Sequence, residues 1–92
     1  MALLNEKQID AKIKSVKGWK RNGNSIYRTY ILKDFVRAMG FVQSVAIVAE
    51  KADHHPDIDI RWNKVTLVLS THSEGGLTGK DFSLAVQINS LI

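Results

Sequence analysis

Residues 50–72 read EKADHHPDIDIRWNKVTLVLSTH. The hydrophobic period changes inside this stretch, and that change decides the fold. Up to Asp53 the apolar residues recur at helical spacing; after Pro56 they alternate, with Ile58, Ile60 and Trp62 on one face and then Val65, Leu67 and Leu69 on one face. Pro56 disfavours helical backbone at His55, so the helix must end at or before His54. The two alternating runs form a β-hairpin, with a two-residue loop expected at Asn63-Lys64.

Working back from the helix end, Asp34 has the chemistry of an N-cap for FVRAMGFVQSVAIVAEKAD. This helix is apolar around most of its circumference from Phe35 to Ala49. One face should pack on a sheet and the other against a second copy of the chain. Before it, SIYRTYIL has the β-branched and aromatic character of a strand, Asn22-Gly23-Asn24 supplies a turn, and Gly18-Trp19 opens the partner strand. Asn5 and Gln8 have capping-box spacing at the head of an amphipathic helix over residues 5–16 that carries Ile9, Ile13 and Val16. Downstream, Thr78 and Asp81 repeat that spacing before a last helix with Phe82, Ala85, Ile88 and Leu91 or Ile92 on one face. The expected architecture is one domain over residues 1–92, of the α+β class. It has two layers, a four-stranded antiparallel sheet with helices on one face, in the order αββαββα.

Composition narrows the function classes. The chain has 92 residues, 45% of them hydrophobic, which suits a single small core that gains from burying a face against another copy. The absence of cysteine removes disulfides, thiolate metal sites and thiol nucleophiles together, and a cytoplasmic location is the default. No apolar run approaches the roughly 20 residues of a membrane span, and MALLNEKQ turns polar before a signal-peptide core could form. The net charge is +4, but the cations are spread from Lys7 to Lys80 without a basic run, so direct nucleic-acid binding is not expected.

All three histidines, His54, His55 and His72, fall within the decisive stretch. With the loop at Asn63-Lys64, Trp62 faces Val65 and His55 lies opposite His72; a three-residue loop would pair His54 with His72 instead. Either register brings the third imidazole within one rung, about 5 Å, of the other two. Glu50 and Asp53 lie three apart on the last helical turn, on the side that delivers the histidines. Imidazoles in different surroundings can divide the giving and taking of protons near neutral pH. A metal site has the right residue types, but neighbouring extended residues point to opposite faces, which sets His54 and His55 against sharing an ion. Histidines that only hydrogen-bond at a helix end are the plain alternative. Convergence of three imidazoles and two acids from two elements favours acid/base chemistry without metal. SEGGLTGKD has the Gly-Lys of a phosphate loop, but Glu74 stands where its leading glycine belongs and Asp81 where Ser or Thr is needed.

The spacing of Glu50, His54-His55-Pro56, Trp62, His72 and Asp81 resembles the signature of the pterin-4a-carbinolamine dehydratases. The likeness extends to Gly18-Trp19, to KDFVRAMGF at residues 33–41 and to NKVTLVLSTH at residues 63–72. It implies an enzyme that dehydrates 4a-hydroxytetrahydrobiopterin to quinonoid dihydropterin in the recycling of a pterin cofactor, needing no cofactor and no metal of its own. It implies catalysis by His54, His55 and His72 with Glu50, His55 being the proton partner of the 4a-hydroxyl. Asp53, Pro56, Ser70, Thr71 and Trp19 would bind the pterin, with Asp81 and Trp62 standing behind them. It further implies a dimer or tetramer formed through the helix at residues 34–53 and a sheet edge. The sequence departs from some members at Ile58, where they carry a tryptophan. Some members also serve as a dimerisation cofactor for a hepatocyte homeodomain transcription factor, so the rival reading is a non-catalytic binding module; a dehydratase-like protein acting on another pterin is a further alternative.

Overall fold

A computed structural model describes residues 2–92. Helix α1 (Glu6–Ile13) begins where Asn5 and Gln8 cap each other: each side-chain oxygen accepts the other residue's backbone N–H at 2.9 Å. Strands β1 (Lys20–Asn22) and β2 (Ser25–Ile31) form a hairpin whose turn uses Gly23 at a φ of +60°, a conformation that suits glycine. Helix α2 (Phe35–Ala52) is capped by the Asp34 carboxylate, which accepts the Arg37 N–H at 2.8 Å. Strands β3 (Asp57–Arg61) and β4 (Lys64–Leu69) follow, then a 3-10 turn at His72–Glu74 and helix α3 (Gly79–Asn89). Thr78 and Asp81 form the capping box expected at the start of α3.

The four strands make an antiparallel sheet in the order β1-β2-β4-β3, so the two hairpins join through β2 and β4. Alternation sends Ile26 and Tyr30 of β2, with Val65, Leu67 and Leu69 of β4, to the helix-covered side. Ala38, Phe41, Val45 and Ala49 of α2 join them in one core, together with Phe82, Leu84, Ala85 and Ile88 of α3. Cutting Leu67, which is fully buried, to alanine costs about 2–5 kcal/mol. That is a large share of the about 5–15 kcal/mol that holds a small domain together.

One corner of this core is tied by a polar clasp. The side-chain oxygen of Asn89 in α3 accepts from the Trp19 indole N–H at 3.0 Å, from an Arg28 guanidinium N–H at 2.8 Å and from the Tyr30 hydroxyl. Its amide donates to the Lys17 carbonyl at 2.9 Å. Burial raises the Tyr30 pKa above its usual value, opposed by the Trp19 and Arg28 groups beside it.

Three expectations need correction. The β3–β4 turn is Trp62-Asn63, with Arg61 paired to Lys64, so the register is shifted two residues from the one expected. A shift of two keeps every side chain on its face, so alternation alone cannot detect it. The choice is pinned by Asn63, which accepts the Leu32 N–H at 2.8 Å and donates its amide to the Leu32 carbonyl at 2.9 Å. Trp62 consequently sits in the turn, at a φ of +53°, and does not extend the Ile58–Ile60 stripe. Finally, α3 ends at Asn89, so its buried stripe stops at Ile88 and leaves Ile92 exposed.

Candidate active site

Helix α2 is ended by Asp53, whose left-handed φ of +51° turns the chain out of the helix while its N–H still bonds back to Ala49 and Glu50 carbonyls. The next two residues are thereby delivered to the rim between α2, the end of β4 and the start of α3. A cavity of about 370 Å³ lies there, lined by Asp53, His54, His55, Ser70, Thr71, His72, Ser73 and Lys80. The corrected register runs His55 toward Ser70 and His54 toward Thr71, while His72 reaches the cavity from the 3-10 turn beyond the ladder. His72 is thus not the cross-strand partner of either histidine, although all three line one cavity.

Each imidazole has a different setting. His54 is buried, and its Nε2 lies 2.6 Å from the Oδ1 of Asp81, which is itself fully buried. The other Asp81 oxygen accepts the Thr71 hydroxyl at 2.8 Å and the Thr78 N–H at 2.9 Å. An ionised carboxylate can only accept, so His54 donates from Nε2, and the nitrogen left for a ligand is Nδ1. His55 is exposed, with its Nε2 at 2.8 Å from the Glu50 carboxylate, five residues back on α2. His72 is exposed and carries no side-chain bond among the described residues. The three rings therefore run from a buried, carboxylate-fixed one to a free one.

Of the other residues singled out from sequence, Asp53, Ser70 and Thr71 line the cavity, while Glu50 and Asp81 touch it through the histidines they hold. The Thr71 backbone is committed within its own loop, its N–H to the Gly76 carbonyl and its carbonyl to the N–H groups of Glu74 and Gly76. Pro56 is half-buried behind His55 in the chain and is not part of the lining. Trp19 is packed in the core edge-on to Tyr30, its N–H spent on Asn89. Trp62 is 65% exposed at the far end of the β3–β4 hairpin. Neither tryptophan is brought to the cavity. Ser73 and Lys80 line it without having been singled out; by residue type Lys80 is one of many lysines, and only its place one residue before Asp81 marks it. Among the described residues no group of three or more His, Cys, Asp or Glu side chains gathers as a metal ion would require.

The family described as "Pterin 4 alpha carbinolamine dehydratase" matches residues 2–91. A protein of Roseiflexus castenholzii (strain DSM 13941 / HLO8), provisionally named a pterin-4-alpha-carbinolamine dehydratase, is 57% identical over 91 residues, 99% of this chain and 98% of the relative. A protein of Mycobacteroides abscessus with the same provisional name is 50% identical over 92 residues, 100% of this chain and 98% of its own. The crystal structure of a transcriptional coactivator/pterin dehydratase from Brucella melitensis superposes with a TM-score of 0.92 at 36% identity, covering 96% of each chain. A pterin dehydratase-like protein identified as a RuBisCO assembly factor in the alpha-carboxysome has a TM-score of 0.66 at 15% identity, over 79% of this chain and 84% of that one, and shares the fold alone.

Proposed function

The chain belongs to the pterin-4-alpha-carbinolamine dehydratase family, and on that premise we propose that it removes water from 4a-hydroxytetrahydrobiopterin to give quinonoid dihydropterin in pterin recycling. The observation that carries the reading is the convergence of three imidazoles on one cavity, two of them held by carboxylates. The reaction breaks the C4a–O bond, forms a C4a=N5 double bond and sheds the N5 proton; the hydroxyl leaves as water after taking up a proton. No electrons are gained or lost, so positioned proton donors and acceptors suffice, and such groups contribute about 10²–10⁴-fold each.

In this reading His55, oriented by Glu50, gives its proton to the departing 4a-hydroxyl. His54 takes the N5 proton on Nδ1, because Asp81 keeps the other nitrogen protonated. His72 closes the opposite wall and orients the ring. Asp53 and the Ser70 backbone bind the flat pyrimidinone edge, the Thr71 backbone being already occupied. The cavity of about 370 Å³ is within the usual range for a small-molecule site. Stopped-flow decay of chemically prepared 4a-hydroxytetrahydropterin tests this: acceleration by the protein, insensitive to chelator, is expected, and a decay rate unchanged by the protein refutes it.

A homo-oligomer accompanies the proposal. Val36 and Ile47 on the outer face of α2 are 77% and 61% exposed, and covering them with a second copy removes that apolar surface from water. No described helix is long and apolar enough to cross a membrane, and we place the protein in the cytoplasm. The same exposed face favours partner binding without catalysis as the second reading. Substituting His55 and His72 by alanine separates the two, since dehydration collapses only if those rings act on substrate while partner binding persists without them.

A further inference from the structure

Lys80 stands in an electrostatically poor place. It lies in the first turn of α3, where the unpaired N–H groups of a helix carry partial positive charge and disfavour a cation. It is half-buried and lines the histidine cavity, beside three rings that add positive charge whenever they take up a proton. Two carboxylates are near it in the chain or along the cavity wall, and neither compensates it. Asp81, the next residue, has its oxygens committed to His54, Thr71 and Thr78. Asp53 lines the same cavity, yet no ion pair joins it to Lys80 among the described residues. The bond that Lys80 makes outside the helix ladder comes from its backbone N–H, to the Thr78 hydroxyl at 3.2 Å. The ammonium therefore keeps its three donors for whatever fills the cavity.

We propose that Lys80 fixes which way round the pyrimidinone ring enters the cavity, by donating to the C4 carbonyl oxygen, and that it thereby selects 4-oxo over 4-amino pteridines. The inference rests on the pterin reading above and adds to it a binding residue and a specificity. The pyrimidinone edge carries two donors, the 2-amino group and N3–H, next to one acceptor, the C4 carbonyl. Apart from the histidines, Asp53 and Lys80 are the charged residues of the lining, one of each sign. An ionised carboxylate only accepts and an ammonium only donates. Asp53 therefore takes the donor side of the edge and Lys80 the oxygen; the reversed ring sets donor against donor and acceptor against acceptor. C4 is bonded to C4a, the carbon that loses the hydroxyl, so the hold on this oxygen positions the reacting carbon one bond away. A 4-amino group in place of the carbonyl turns N–H toward the ammonium, and a site built around a matched hydrogen bond rejects the analogue that lacks it. Because Lys80 is only half-buried, the rejection is about tenfold.

The test uses 6-methylpterin and 2,4-diamino-6-methylpteridine, which differ in the C4 group and in the N3 proton that goes with it. Equilibrium binding of each at neutral pH is read by pteridine fluorescence for the unsubstituted protein, Lys80→Met and Lys80→Arg. Thermal unfolding of each protein and stopped-flow dehydration of 4a-hydroxytetrahydropterin are measured alongside. The expected result is a preference of about tenfold for the 4-oxo ring, retained in Lys80→Arg and reduced to within about threefold in Lys80→Met. The melting temperature of Lys80→Met should rise by about 1–5 °C, because a misplaced cation leaves the first turn of α3. Equal binding of both rings by the unsubstituted protein, or a preference that survives Lys80→Met, overturns the assignment. A melting temperature that falls in Lys80→Met while the preference is unchanged assigns Lys80 to the fold and overturns it as well. Accelerated dehydration without a preference between the rings leaves the dehydratase reading standing and removes only this inference. A Lys80-dependent preference without acceleration does the reverse, and binding of neither ring removes both.

Discussion

The substitution Asp81→Asn tests the buried half of the site. The carboxylate offers Oδ1 to His54 at 2.6 Å, and Oδ2 to the Thr71 hydroxyl at 2.8 Å and the Thr78 N–H at 2.9 Å. An amide has one acceptor oxygen and a donor nitrogen, so it cannot serve both sides as before. With its nitrogen toward Thr78 it sets two buried N–H groups against each other, at a cost of about 1–3 kcal/mol. With its oxygen toward Thr78 it keeps the helix cap and points an N–H at His54 Nε2. The second orientation wins, and it forces the His54 proton onto Nδ1, the nitrogen proposed to accept the N5 proton of the substrate. Stability should fall by about 1–2 kcal/mol, because charge-assisted bonds become neutral ones. At about 4–8 °C per kcal/mol for a domain of this size, the melting temperature drops by about 5–15 °C. Dehydration should lose about 10²-fold or more in kcat with KM little changed. Stopped-flow kinetics reads the rate, and nitrogen-detected NMR of the imidazoles reads the tautomer. A folded Asp81→Asn protein whose His54 proton has moved to Nδ1, yet whose kcat stays within threefold of the parent, refutes the assignment of His54 as the base.

His72→Ala should lower kcat by about 10²-fold while leaving the melting temperature within about 2 °C, because this exposed ring holds no bond that the fold uses; a stability loss as large as the activity loss contradicts that. Tyr30 gives a pH dependence of stability: its folded pKa is raised by burial, so its contribution is complete below the unfolded value of about 10 and is lost as pH rises through the folded value. Urea midpoints should therefore decline as pH rises above about 10 in the parent protein and decline less in Tyr30→Phe. Gly18 sits at a φ of +82°, and a Cβ built there would lie 2.6 Å from the Arg28 guanidinium carbon. Gly18→Ala should cost about 1–2 kcal/mol in denaturant unfolding from the left-handed backbone alone, with more if Arg28 must leave Asn89.

Much of the fold was legible because its signals are local. Asn5 with Gln8, Asp34, and Thr78 with Asp81 mark helix starts through bonds spanning only three residues. Pro56 sets a limit on α2 by acting on its immediate neighbour His55, and the helix ends inside that limit, at Asp53. The alternation of Val65, Leu67 and Leu69 likewise assigns β4 its faces without reference to any other strand. What a local pattern lacks is an absolute register. Moving the β3–β4 pairing by two residues leaves every face unchanged, and the hold of Asn63 on Leu32, which selects among registers, spans 31 residues. The spacing of the histidines did lead to a shared cavity, since any register near the observed one brings their segments to the same end of the sheet. The location of Trp19 was not legible, because residue type alone does not distinguish a ring stacked on substrate from one packed on Tyr30. The place of Lys80 beside the histidines was hidden for a related reason: in the sequence it is only the Gly-Lys of a failed phosphate loop, and its neighbourhood exists only where the end of α2 meets α3.

The Asn89 clasp bears on how a nascent chain acquires this shape. Its partners Trp19, Arg28 and Tyr30 lie 70, 61 and 59 positions upstream, so the first hairpin waits through most of synthesis with an indole, a guanidinium and a phenol still seeking their acceptor. Contacts of such long range are formed late and slow the search. A polypeptide halted on the ribosome before Asn89 emerges should therefore remain sensitive to protease at that hairpin, and extending it past that residue should confer protection.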